Sequence, residues 1–295
     1  MTLYLLAIAV VTLINILLAL GLTLQFGRAG LINFGHVGFY AIGAYTSALL
    51  SQAGVPLPLC VLAAAALAAL AAWPIGLVSL KLRDDYFAIV TLGFSETIRI
   101  IITSETWLTH GVQGITAIPP LYAGLGTGYP SLLALTATLL LIVVVAAIAM
   151  HRISSSPFGR VVEAIRDNEI AVKALGKNPA RFKLGILAIG SALAGVAGAF
   201  YAHYIGYIVP DQFIPLVTFY VWMAVIMGGS GRVSGAVVGS AILMFFLEGS
   251  RFLRDLLPGM ATVEMASIRI GIIGLALILF TLYRPQGLMG DYTRK

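Results

Sequence analysis

Charge is what this sequence has least of. Asp, Glu, Lys and Arg make up 10% of its 295 residues, where a soluble domain carries roughly 25%. That shortage excludes a soluble enzyme of this length, because too few charged groups exist to cover its surface. Cysteine is nearly absent as well. Cys60 stands alone in an apolar stretch, so it can close no intrachain disulfide and has no metal-ligand neighbours. His36, His110, His151 and His203 do not pair at ligand spacing, and there is no H-E-x-x-H. There is no G-x-S-x-G and no Cys/His arrangement for a nucleophile. Gly176-Lys177 resembles the end of a phosphate loop, but Asn178 stands where Ser or Thr is needed and Ala171 where Gly is needed. No catalytic residue, metal or cofactor is expected, and the chain has no ATP site of that kind.

Apolar residues fill the space that charge leaves. They form 60% of the chain, and the mean hydropathy is +0.99. A span needs roughly 20 apolar residues. The expected fold is all-α, a polytopic membrane bundle of about eight to ten transmembrane helices in one integral domain over 1–295. Spans are expected near 3–25, 31–50, 58–80, 86–103, 131–150, 184–205, 213–229, 233–249 and 266–283. The second, seventh and eighth are short or glycine-rich, so one of them is a candidate for a broken or re-entrant segment. Met1–Leu6 has no basic region, so the first span is expected to stay as an anchor.

Basic residues set the orientation. Between His151 and Lys183 there are seven Lys and Arg against three acids, which places this loop in the cytoplasm. Alternating the spans from there puts 14 of the 18 basic residues inside, the N-terminus outside and the C-terminus inside. The net charge of +6 then reflects the positive-inside rule, and no nucleic acid partner is implied. Residues 104–130 carry Glu105, no Lys or Arg, and many Gly and Pro. With the neutral 250–265 they form the surfaces that an external partner would meet.

Small residues recur every four positions at Gly190, Ala194, Gly198 and Ala202, and again at Gly231, Gly235 and Gly239. Such stripes bring helices into close contact in lipid, whether static or moving. Glu96 and Arg99 lie three apart, so they can pair on one helix face. Gln25, Asn33 and His36 flank the first inside turn and read equally as helix caps or as pathway residues.

The cytoplasmic loop is the most informative stretch. Ser156-Pro157 reads as a helix start, Gly176 as a C-terminal stop, and Asn178-Pro179 as a break before the next span. Between them apolar and charged residues alternate as in short amphipathic helices. Such a loop suits either a membrane surface or a soluble partner.

The run from Glu163 to Gly176, E-A-I-R-D-N-E-I-A-V-K-A-L-G, resembles the coupling loop of ABC importer permeases. R-D-D-Y-F-A-I-V-T-L-G-F-S-E-T-I-R (Arg83 to Arg99), L-T-H-G-V-Q-G-I (Leu108 to Ile115), N-F-G-H-V-G-F-Y-A-I-G-A-Y (Asn33 to Tyr45) and M-G-G-S-G-R-V-S-G-A-V-V-G (Met227 to Gly239) are similar to the branched-chain amino acid permeases, M-type. The motifs cover nearly the whole chain in family order. The Glu-to-Gly spacing of the loop departs from the general consensus, so either Glu163 or Glu169 holds the consensus role.

The resemblance implies a second, H-type permease subunit, two cytoplasmic ATPases, and a periplasmic or lipoprotein substrate-binding protein, in a bacterial or archaeal cytoplasmic membrane. It implies ATPase coupling by Glu163, Ala164, Ile165, Arg166, Asp167, Glu169, Ala171, Leu175 and Gly176. Val162, Ile165, Ile170 and Leu175 are expected on one apolar face that enters an ATPase groove, with Glu163, Arg166, Asp167 and Glu169 as its charged rim. Asn33, His36, Tyr45, Thr91 and Glu96 are the candidates for the translocation pathway. The implied cargo is branched-chain or other hydrophobic amino acids, with urea, short amides or other small solutes as the alternative. An ion-coupled secondary transporter is the competing class, but Glu96 is the only acid well inside a span, which is thin for a proton relay.

Overall fold

In the computed structural model the described residues are 2–79, 84–122, 124, 126, 128–254 and scattered positions between 271 and 289. The regular secondary structure of the described residues is helical, apart from one isolated bridge. The helices are α1 (Thr2–Leu22), α2 (His36–Gln52), α3 (Leu57–Ser79), α4 (Asp84–Ser104), the short α5 (Thr106–Thr109), α6 (Tyr129–Ser155), α7 (Pro157–Asp167), α8 (Glu169–Ala174), α9 (Pro179–Ile205), α10 (Pro215–Gly228) and α11 (Val233–Arg254).

Six apolar helical segments are long enough to cross a membrane: Thr2–Arg28, Leu57–Val78, Asp85–Ser104, Tyr129–Ser155, Pro179–Ile205 and Pro210–Gly228. These confirm the all-α membrane bundle. The expected second span starts later than its apolar run. Residues 30–35 are non-helical and α2 begins at His36. Its 17 residues reach about 26 Å, short of the roughly 30 Å hydrocarbon core. The eighth span corresponds to α11, whose apolar part is Val233–Glu248 and which continues through Arg251 and Arg254. The ninth, 266–283, and the segment 255–265 lie largely outside the described residues. At α6 and α9 the helices run past their apolar stretches to polar caps, ending at Ser156 and starting at Asn178.

Two helices occupy the middle. α1 carries no charge and buries Val10 and every residue from Leu13 to Leu22. It packs against α6, α9, α10 and α11. α9 packs against α1, α2 and α3. The small-residue stripe of α9 is what permits this. A Cβ on Gly198 would sit 2.1 Å from the Tyr40 carbonyl oxygen of α2. On the second stripe, a Cβ on Gly239 would come within 1.9 Å of the Ala224 carbonyl oxygen, so α11 lies directly on α10. Gly231 is not on that helix. It sits in the α10–α11 turn, against Gly27 at the end of α1.

Candidate functional site

The inner end of α1 does not stop cleanly. Thr23–Arg28 widens into a π-helical turn, a form that recurs at functional sites. Gly30, at φ +69°, turns the chain back toward α2. Non-helical backbone inside a membrane protein must be satisfied by protein, and here it is. Gln25 Nε2 donates to the Leu187 carbonyl of α9 at 3.1 Å. Asn33 Nδ2 donates to Gln25 Oε1 at 2.9 Å, while Asn33 Oδ1 accepts from the Gly35 N–H at 2.8 Å. Thr91 Oγ1 of α4 accepts from the Phe34 N–H at 3.1 Å and donates to the Ala88 carbonyl. Trp222 Nε1 of α10 donates to the Asn33 carbonyl at 3.0 Å, and Thr218 Oγ1 accepts from the Val37 N–H. His36 Nε2 lies 3.2 Å from the Leu18 carbonyl, so that nitrogen carries the proton. Phe26 and Phe34 close the seam against Trp222, with ring centroids 4.6 and 5.3 Å apart.

The five pathway candidates therefore separate. Asn33, His36 and Thr91 line or adjoin this buried seam. Tyr45 lies further along α2, buried, with its ring against Phe213. Glu96 is elsewhere. Its carboxylate takes two hydrogen bonds from Arg99, at 2.7 and 3.0 Å, and Arg99 also lies 3.8 Å from Asp211. That places the pair beside Pro210–Gln212, on the side opposite the loop 156–178. Sequence reasoning missed Trp222 and Thr218, because nothing local marks an aromatic N–H or a hydroxyl that bonds a segment over 180 positions away.

The loop 156–178 grips the same π-turn from below. Ser156 caps α7 by accepting from the Gly159 N–H at 3.2 Å. Asn168 breaks the chain and caps α8 by accepting from the Ala171 N–H at 3.0 Å. Gly176 turns out of α8 at φ +75°, and Asn178 caps α9. The Ser156 start and the Gly176 stop match expectation. Arg166 donates to the Gly27 carbonyl, and Glu163 lies 3.5 Å from Arg28. Glu169 accepts from Lys173 of α8 and from Lys183 of α9, at 2.7 and 2.8 Å. Burial opposes ionisation of Glu169 more than any other single influence. The hydrogen bonds and charges of Lys173 and Lys183 together outweigh it and hold the carboxyl below its usual range.

The expected single apolar face is divided. Val162 and Ile165 are 1% and 3% exposed, whereas Ile170 and Leu175 are each 80% exposed. The break at Asn168 (φ −156°, ψ 95°) rotates α8 out of phase with α7, so one helix faces the bundle and the other faces away. Ile165 therefore packs on its own chain. Ala164, Arg166, Asp167, Ala171 and Gly176 are exposed, and Glu163 and Glu169 are half-buried.

On the opposite side, the loop after α5 is tied to the end of α9. Ile115 and Ile208 exchange two backbone hydrogen bonds of 2.9 Å. His203 Nδ1 donates to the Pro119 carbonyl at 2.8 Å, so Nε2 accepts from Ser47 Oγ at 2.8 Å.

The apolar helical bundle agrees with the comparisons. Residues 4–281 match the family described as "Branched-chain amino acid transport system / permease component". The chain belongs to that family. It is similar to the high-affinity branched-chain amino acid transport system permease protein LivM of Escherichia coli strain K12, with 36% identity over 96% of this chain and 69% of the relative. A probable LivM of Methanocaldococcus jannaschii is 27% identical over 93% of this chain and 90% of its own. The high-affinity branched-chain amino acid transport system permease protein LivH of Salmonella typhimurium is 28% identical over 77% of this chain and 78% of its own. No solved structure matches. As a branched-chain amino acid permease component, the chain is a multi-pass membrane protein and a transport subunit.

Proposed function

We propose that this chain is the M-type membrane subunit of an ATP-driven importer for branched-chain and related hydrophobic amino acids. Its partners are an H-type permease, two cytoplasmic ATPases and a periplasmic or lipoprotein binding protein. The observation that carries the reading is the two-helix loop 157–176. It turns two large apolar side chains, Ile170 and Leu175, away from the bundle, while its other half is bonded to the π-turn of α1. Exposed apolar residues beside charges of both signs on a non-membrane loop suit an apolar groove on a soluble partner. The bonds of Arg166 and Glu163 supply a rigid link from that partner to the buried seam. No coupling arises without contacts that differ between two states, and this loop is the described element placed to provide them.

ATP hydrolysis belongs to the partner subunits in this account. The seam around Asn33, His36 and Thr91, with Tyr45 and Glu96 further out, supplies the pathway walls. The test is assembly with the ATPase and hydrolysis stimulated by leucine-loaded binding protein. Ile170→Glu with Leu175→Glu should leave membrane insertion intact and abolish the stimulation. Unchanged stimulation would remove the coupling assignment.

A further inference from the structure

The elbow between α6 and α7 lies outside the coupling and pathway residues named above. α6 runs beyond its apolar stretch, and its end carries His151 and Arg152, both exposed. An open cleft of about 420 Å³ lies there, lined by Arg152, Ile153, Ser156, Phe158 and Ile189. Its walls are apolar. Ile189 lies ten residues into α9 from Pro179, about 15 Å along that helix, and gives the cleft an apolar wall. Phe158 stacks on Phe182 of α9, with centroids 5.4 Å apart, and fixes the floor.

The mouth is positive. Arg152 lines the cleft, and Arg160 reaches back over the same turn to donate to the Ser155 carbonyl at 3.0 Å. Neither forms an ion pair among the described residues. Arg181, also exposed, precedes Phe182. The nearby acids are engaged elsewhere, Glu163 with Arg28 and Glu169 with Lys173 and Lys183, and Asp167 closes the far end of α7.

We propose that this elbow binds one anionic phospholipid of the cytoplasmic leaflet, with Arg152 and Arg160 on its phosphate and an acyl chain in the Ile153–Phe158–Ile189 cleft. Two properties favour a lipid over a soluble partner. The cleft is apolar at acyl depth and cationic at headgroup depth, and cations between transmembrane helices on this side attract anionic lipids. The site rests on the cytoplasmic placement of 151–183 proposed above. Its occupant would hold the hinge from which α7 departs.

The test is native mass spectrometry of the assembled importer titrated with dioleoyl phosphatidylglycerol or dioleoyl phosphatidylcholine. One phosphatidylglycerol should be retained far better than phosphatidylcholine. Arg152→Gln with Arg160→Gln should weaken it roughly tenfold or more, and Lys177→Gln, an exposed cation on the same loop, should leave it unchanged. Ile189→Trp, which fills the cleft and keeps the charges, should weaken it too. Equal retention of both lipids, an equal loss in Lys177→Gln, or displacement by inorganic phosphate alone would overturn the proposal. So would loss of the ATPase from the Arg152→Gln/Arg160→Gln complex with phosphatidylglycerol still bound, which would assign these arginines to the ATPase contact. None of these readouts depends on the transported solute.

Discussion

Single residues fix the two turns on which this account depends. Gly176 sits at φ +75° with nothing within 4 Å of where a Cβ would lie. A side chain there is strained by backbone conformation alone, at about 1–2 kcal/mol, with no steric clash. Gly176→Val should therefore insert and assemble while ATPase stimulation by loaded binding protein falls. Normal stimulation would show that the exit of α8 tolerates the strain. Asn33 is more deeply committed. Asn33→Ala leaves Gln25 Oε1 and the Gly35 N–H buried and unpaired, at roughly 1–3 kcal/mol for each group. The expected result is a clearly lower thermal midpoint in detergent. Trp222→Phe, which loses the bond to the Asn33 carbonyl and part of the ring surface packed against Phe26 and Phe34, should lower the midpoint as well. An unchanged midpoint in both would mean that the seam contributes nothing to stability.

Elements show how far local sequence signals reach. Ser156-Pro157, Gly176 and Asn178-Pro179 were readable because each cap is a bond within three residues. The late start of α2 was not, because the segment before it is satisfied by Leu187, Thr91 and Trp222, all far along the chain. The division of the loop's apolar face was hidden for another reason. Asn168 is a good N-cap by type but stands inside a run of helix formers, and its extended backbone shows that α7 and α8 are out of phase. The contact of α8 with α9 has a pH signature. The Glu169 carboxyl is held below its usual range, so its contribution is complete above the ordinary carboxylate range near pH 4.3 and is lost as pH falls through the lowered value. Proteolysis of the loop should stay constant from pH 7 to 5 and rise below about pH 4. Lys183→Met, which removes one hydrogen bond to Glu169, should move that rise to higher pH. An identical acid profile in the variant would show that the pair does not hold the loop.

The whole molecule is organised across the membrane, with the seam and loop 156–178 at one side and the His203–Pro119 latch at the other. The described helices leave the sidedness as inferred from Lys and Arg. The loop 104–130 gives the test, and the structure selects the probe. Gly111 is buried at φ +60°, whereas Val112 is 69% exposed, and Cys60 is buried and gives no background. Val112→Cys should react with an impermeant thiol reagent from outside intact cells. Reaction only after the cytoplasmic face is opened would invert the map.

The central claim is that this permease works by ATP-driven coupling through the loop 157–176. The direct measurement is uptake of labelled leucine into proteoliposomes holding the assembled importer, with loaded binding protein on the face of Val112 and ATP on the face of Ile170. The account predicts uptake that requires ATP, persists when the proton gradient is collapsed, and is lost with Ile170→Glu/Leu175→Glu. Uptake that continues without ATP and stops with the proton gradient would contradict it.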